Sequence, residues 1–208
     1  MWVRPDSVLQ RHQLIGKVGE YRVGFMLGSA LVQLYDNSAG ARTTVYTEPG
    51  FDLTGIVGGW HHLAFTYDGR GGANAGNGIT IYLDGVPVPV WRDTSAAYVA
   101  MENLAAPVEI GRASAQVDQY DGGFDELRIW NVVRSASQIQ FAMSAEITGL
   151  EAGLSGYWRF NEGAGQSVAD DSPNVQNATL MNGTAWLPDS SPMHAYSKMY
   201  KDGGMLML

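Results

Sequence analysis

The stretch Ile79-Thr80-Ile81-Tyr82-Leu83-Asp84-Gly85 alternates apolar and polar residues with a strict period of two and ends on Asp-Gly. Only a β-strand sends every second side chain to one side, so Ile79, Ile81 and Leu83 belong to a core and Thr80, Tyr82 and Asp84 face outward. Asp84-Gly85 is a hairpin signal, leading into "VPVPVW". The run "GWHHLAFTYDG" just upstream places His61, Leu63, Phe65 and Tyr67 on one face, with Leu63 and Phe65 in the core. The loop between the two, "DGRGGANAGNG", is too rich in glycine to order itself and is expected to be mobile.

The same reading extends along the chain. "QLIGKVG", "YRVGFML", "ALVQLYD" and "RTTVYTE" are β-prone runs separated by Gly19-Glu20, Gly28-Ser29 and "DNSAG", the spacing of an antiparallel meander. "PVEIGRA" and "GGFDELRIWN" add two strands. In the second, Asp125, Leu127 and Ile129 share a face opposite Glu126, Arg128 and Trp130. The period then changes. In "SASQIQFAMSAEI" (135–147) Ile139, Ala142, Met143 and Ile147 recur at helical spacing, and Ser135 with Gln138 forms a capping box. After Gly149 the strand pattern returns in "SGYWRF" and "NATLMNGTAW". The terminal "MLML" is quiet only if buried. The class is therefore all-β, antiparallel, with one short helix.

Composition narrows the function. Charged residues are 16% of the chain and glycines number 26 of 208, which suits many strands joined by many turns. A net charge of −8 argues against a nucleic-acid partner. The absence of cysteine removes disulfides, thiolate metal sites and cysteine nucleophiles. No apolar run approaches the ~20 residues that cross a bilayer. The first residues, "MWVRPDS", carry no signal-peptide apolar region, so an exported form is expected to carry its signal ahead of them or to use another type.

Taken together, "GGWHHLAFTYDG", "ITIYLDGVPV", "VEIGRA" and "FDELRIWNVVRSASQIQ" resemble the laminin-G-like and pentraxin-type domains, in order and spacing across residues 59–141. The resemblance implies a two-sheet antiparallel jelly-roll sandwich of the concanavalin A-like kind, at the cell or virion surface or in the extracellular space. It also raises a topological question. In such domains "GYWRFNEGAGQ" is the usual first strand and loop and "WVRP" a middle strand, whereas here the first comes last. Residues 1–154 form the main part of the sandwich, and 155–208 a first-strand-like segment. Three readings stay open. The chain is cut from a tandem array, or it is permuted so that 155–187 fill the edge beside "FDELRIW", or the segment completes a neighbouring chain across a bare sheet edge.

Relatives of this kind often hold a structural Ca²⁺ near the first loop and last strand. The resemblance carries that role to Asp125, Asp170, Asp171 and Asn174, whose oxygens suit the ion. The loop glycines of the family pattern are replaced here by Pro173, Val175 and Ala178, and the same residues also suit an Asx-type turn. Asp118, Asp121, Asp125 and Glu126 form a second acidic group, read rather as a turn at Asp121-Gly122-Gly123. His61 and His62 point to opposite faces and cannot chelate one ion.

Catalytic relatives carry paired carboxylates spaced E-x-D-x-x-E, which must lie roughly 5 Å apart to act as acid and nucleophile. No such triplet occurs. Trp60 and Tyr82 are the candidate ligand-binding residues of a sugar-stacking platform on the concave sheet, with Trp91, Trp130 and Trp158 further aromatic members, although a sandwich also buries tryptophan routinely. The expected function is non-catalytic: a surface module that self-assembles by strand exchange through its C-terminal segment, or mediates adhesion. A Ca²⁺-dependent lectin-like module is the alternative and a glycoside hydrolase relative the third. Partners are then further copies of the chain, glycans or surface proteins.

Overall fold

The structure is a computed structural model describing residues 1–112, 118–187, 191–193, 198–201 and 205–207. Each period-two run becomes a strand. β1 (Trp2–Pro5) is followed by the meander β2 (His12–Lys17), β3 (Tyr21–Met26), β4 (Ser29–Asp36) and β5 (Ala41–Thr47). Then come β6 (His61–Tyr67), β7 (Ile79–Leu83), β8 (Val86–Pro87), β9 (Val90–Thr94), β10 (Val108–Ile110), β11 (Gly122–Asp125) and β12 (Leu127–Trp130). Helix α1 (Ala136–Met143) precedes β13 (Leu154–Trp158), β14 (Ser167–Val168), β15 (Ala178–Met181), β16 (Thr184–Leu187), β17 (Lys198–Lys201) and β18 (Met205–Met207).

Two antiparallel sheets carry nearly all of these. The nine-stranded sheet runs β14-β15-β18-β10-β2-β3-β4-β5-β9, and the seven-stranded sheet runs β16-β17-β11-β1-β6-β7-β8. Among the described residues β12 and β13 pair only with each other. Val3, Leu63, Ile79, Ile81 and Phe124 from one sheet meet Ile15, Val23, Phe25, Val32, Leu34 and Val45 from the other in one core. Each such side chain contributes about 1.5–3 kcal/mol by leaving water. Tyr120 bridges the two layers, its ring 4.6 Å from Phe124 and 6.4 Å from Phe25. The antiparallel two-sheet sandwich expected from the sequence is the fold observed.

The described strands from β13 onward pair with earlier strands or with each other. Leu127 to Ile129 pair with Trp158 to Gly156, β17 lies between β11 and β16, and the backbone of Met205–Met207 lies between β10 and β15.

Several local readings need correction. The helix stops at Met143 rather than 147. Its capping box forms as expected, but the Arg128 guanidinium takes the carbonyls of Ala142 and Ala145, and Ile147 turns away into a small cluster with Leu154 and Tyr157. "GGFDELRIWN" is not one straight strand: Phe124 and Leu127 both reach the core, three residues apart, because Glu126 takes up the extra residue at φ 51°. Asp125 and Leu127 therefore do not alternate on a common face. Asp121-Gly122-Gly123 is no hairpin turn, since Gly122 and Gly123 pair with Pro5 and Arg4. The glycine-rich loop has partners: Gly72–Gly78 coils into a 3-10 turn, with Ala75 buried, Gly76 O bonded by Arg92 Nε at 2.9 Å and the Gly72 amide bonded to Val99 O at 2.8 Å.

Candidate functional site

The outward face of the nine-stranded sheet carries what the core face excludes. Val45 is fully buried in the core, so its neighbours Thr44 and Tyr46 point the other way. Strand register then lines up a polar row across six strands: Glu109, Gly16, Arg22, Gln33, Thr44 and Asp93 lie opposite one another in turn. Gln33 Nε2 donates to Thr44 Oγ1 at 3.2 Å, and Tyr35 Oη donates to Gln33 Oε1 at 3.0 Å. Arg22 Nη1 lies 2.8 Å from Asp118 Oδ2, which also pairs with Arg11 at 3.2 Å. Burial lowers the Arg22 pKa, an effect that Asp118 opposes.

Beside this row stands an aromatic pair. Tyr46 and Trp91 are directly opposite on β5 and β9, ring centroids 5.0 Å apart, and Trp91 is 50% exposed. Trp91 thus offers solvent an aromatic face on which an apolar ring face can stack, while Gln33 and Thr44 beside it, 8% and 6% exposed, are hydrogen-bonded to each other. The sequence offered Trp91 as one aromatic among several. It gave no sign that "RTTVYTE" pairs with "VPVPVW", which brings Tyr46 to Trp91 and Gln33 to Thr44.

Tyr82 lies on the other sheet and Trp60 just ahead of its strand β6. Tyr82, on β7, is 8% exposed, so it is not an outward platform residue. Trp60 packs its ring against Gly123, where a Cβ would come within 2.6 Å of it, and Arg4 lies 5.6 Å from the ring centroid. Trp158 is buried, its Nε1 donating to Gln176 O at 3.0 Å, and Trp130 carries Arg134 at 4.2 Å.

Of the four residues assigned to calcium, Asp170, Asp171 and Asn174 share the loop after β14 and Asp125 lies on β11, and each has partners within the protein. Asp170, 4% exposed, already accepts four hydrogen bonds: Oδ1 from the amides of Tyr157 (2.8 Å) and Ser172 (2.9 Å), Oδ2 from Ser172 Oγ (2.8 Å) and the Gln176 amide (2.8 Å). Asp171 Oδ2 pairs with Arg159 Nε at 2.7 Å, and Asn174 Nδ2 donates to Ser155 O at 2.8 Å. Asp125 is buried on β11 and accepts from Ser191 Oγ. Among the described residues no three acidic or histidine side chains cluster as a metal site. The loop is closed by hydrogen bonds, the Asx-type arrangement, and its oxygens do not fit the ion as a set. His61 Nδ1 meets Asp84 Oδ2 at 2.8 Å, while His62 is buried beside the Met1 nitrogen.

Two facing antiparallel sheets around one core define an antiparallel β-sandwich. The chain belongs to the concanavalin A-like lectin/glucanases superfamily, whose profile matches residues 1–140. A search of the curated proteins finds no match. Among solved structures, one from Bacteroides ovatus ATCC 8483, described as a "putative carbohydrate binding protein", aligns with a TM-score of 0.56 at 18% identity. The alignment covers 99% of this chain and 51% of that one, so this chain spans about half the neighbour's length. At that identity the likeness concerns the fold.

Proposed function

We propose that the protein is a non-catalytic carbohydrate-binding module of an extracellular or surface protein, taking glycan on the outer face of the nine-stranded sheet. The observation that carries this reading is the half-exposed Trp91, paired with Tyr46 and flanked by the Gln33–Thr44 hydrogen bond. The superfamily and the carbohydrate-binding description of the neighbour support it. Glu126, the acidic residue nearest a catalytic strand pattern, accepts from Tyr157 Oη at 2.6 Å and from Arg128, and is 2% exposed, a structural role. A glycan array followed by calorimetry tests the site. Trp91→Ala is expected to weaken binding at least about ten-fold, roughly 1.4 kcal/mol, with the melting temperature held. Unchanged affinity in Trp91→Ala and Tyr46→Ala together removes the site.

A second proposal concerns the C-terminal segment. Residues 155–208 complete their own sandwich rather than a neighbour's, as their pairing with β10, β11 and β12 of the same chain suggests. Light scattering is then expected to show a monomer, and a stable oligomer that falls apart on deletion of the segment counts against it.

A further inference from the structure

Strand β1 ends where the sheet around it does not. The Leu63 amide donates to Met1 O at 2.9 Å, and the Met1 nitrogen donates to Leu63 O at 3.2 Å, a closed ladder pair. By alternation, Phe65 and Tyr67 aim their N–H and C=O groups to the same side as Leu63. Among the described residues nothing pairs with β6 on that side beyond Met1.

Across the gap runs β12, whose one sheet neighbour is β13. Tyr157, opposite Arg128, uses its N–H on Asp170 and its C=O on the Asp171 amide, on the far side of β13. Arg128 therefore turns its own N–H and C=O away from β13, into the gap. Two strand edges thus face each other with no strand between them.

The gap is a cavity of about 470 Å³. β6 and β12 form its sides, Ile15 and Val23 of the opposite sheet its floor, and Ile139 and Ala142 of α1 its roof, with Met1 at one end. The extra residue at Glu126 keeps Leu127 and Ile129 turned toward the core, in phase with Leu63 and Phe65.

We propose that this slot takes one extended strand of polypeptide joined to the Met1 nitrogen, antiparallel to both β6 and β12, which merges the two-stranded and seven-stranded sheets. Its register follows from β1. The first residue ahead of Met1 lies opposite Ala64 and Arg128 and faces α1. The second lies opposite Phe65 and Ile129 and faces Ile15 and Val23, and the fourth reaches Tyr67. Apolar side chains are required at the second and fourth positions. The Met1 nitrogen already occupies an amide's place in the ladder, so a peptide bond continues the strand without a break, whereas a separate peptide must bury a carboxylate beside it. Burial pushes the pKa of that amino group down to about 5, a penalty that an amide does not carry. The inference stands apart from the glycan face on the other sheet.

The test adds four residues ahead of Met1 of the full chain in three versions: Val-Thr-Val-Thr, in phase; Thr-Val-Thr-Val, out of phase; and Gly-Ser-Gly-Ser. The in-phase version is expected to melt about 5 °C or more above the Gly-Ser version, from burial of two valines. It should also slow amide exchange at Phe65, Tyr67 and Arg128 at least about ten-fold, with the out-of-phase version giving less than half the melting gain. Equal melting and equal exchange in the in-phase and Gly-Ser versions overturn the proposal. So does light scattering that shows the unextended chain as a dimer which the in-phase strand dissociates, because the slot then belongs to a second copy.

Discussion

Asp170 Oδ1 accepts the amide of Tyr157 at 2.8 Å, and through it the loop after β14 is fastened to the middle of β13. Three further donors reach the same carboxylate, so Asp170 gathers the loop around itself by hydrogen bonds. Asp170→Ala leaves four donors unmatched in a buried site, so unfolding in urea is expected to show a loss of about 2–4 kcal/mol. The same measurement with and without a chelator is expected to give one midpoint. A chelator-induced drop of several degrees in melting temperature would return calcium to the loop.

Glu126, Arg128 and Tyr157 form one buried polar unit between β12, β13 and α1. Arg128 lies 4.8 Å from the Tyr157 ring centroid and binds the carbonyls of Ala142, in the last turn of the helix, and Ala145, just past its end, where a cation is favoured. Burial, the largest cause, raises the Tyr157 pKa, and the hydrogen bond to Glu126 adds to it. Glu126→Leu strands the Arg128 charge, and a loss of about 3–5 kcal/mol is expected. Tyr157→Phe keeps the ion pair and should cost about 1–2 kcal/mol. Equal losses in the two variants would show that the pair is not a unit.

The parts of the fold that obey one local rule were legible. Period two placed Ile79, Ile81, Leu63 and Phe65 correctly, and Ser135 with Gln138 set the start of the helix. What failed depended on partners far along the chain. The helix end is decided by Arg128, and the outward position of Tyr82 did not translate into exposure because other elements cover that face. Asp170 and Asn174 follow a ligand pattern in type and spacing, and nothing in the sequence shows that the amides of Tyr157 and Gln176 also reach the Asp170 carboxylate. The site face was hidden for the same reason: the Tyr46–Trp91 pair joins residues on β5 and β9 that only sheet register brings together.

Stability should fall toward acid through the Met1–His62 pair. Burial, the first cause, with the Met1 and Arg128 charges, pushes the His62 pKa from 6.5 down to about 2. In the 208-residue chain with nothing added ahead of Met1, its amino group goes from 8.0 to about 5, mainly by burial and then by Arg128, against the opposing charges of Glu126 and Asp125. Both groups bind protons more readily unfolded than folded. Their contribution is thus complete above the unfolded values and is lost as pH falls, from 8 to 5 for the amino group and below 6.5 for His62. The limiting slope is about 1.4 kcal/mol per pH unit for each proton. Urea midpoints at a series of pH values should show this decline. His62→Phe should flatten it below pH 6.5, and acetylation of the amino group should flatten it above. A profile level from pH 8 to pH 5 would mean that neither group is buried as described.

Gly24 and Gly16 sit on neighbouring strands, yet replacing them should cost different amounts. A Cβ on Gly24 would lie 1.9 Å from the backbone oxygen of His12, where β2 shifts register between Gln13 and Ile15. β3 is held on both sides by β2 and β4, so neither strand can retreat without breaking its ladder. Gly24→Ala is expected to destabilise by more than about 2 kcal/mol. A Cβ on Gly16 would meet only the end of the Gln13 side chain, at 2.8 Å, and that amide can swing aside by giving up its 3.0 Å bond to Arg112 O. Gly16→Ala should therefore cost about 1 kcal/mol, the worth of one hydrogen bond. Equal losses in the two variants would mean that the β2 irregularity gives way and is not a fixed feature of the nine-stranded sheet.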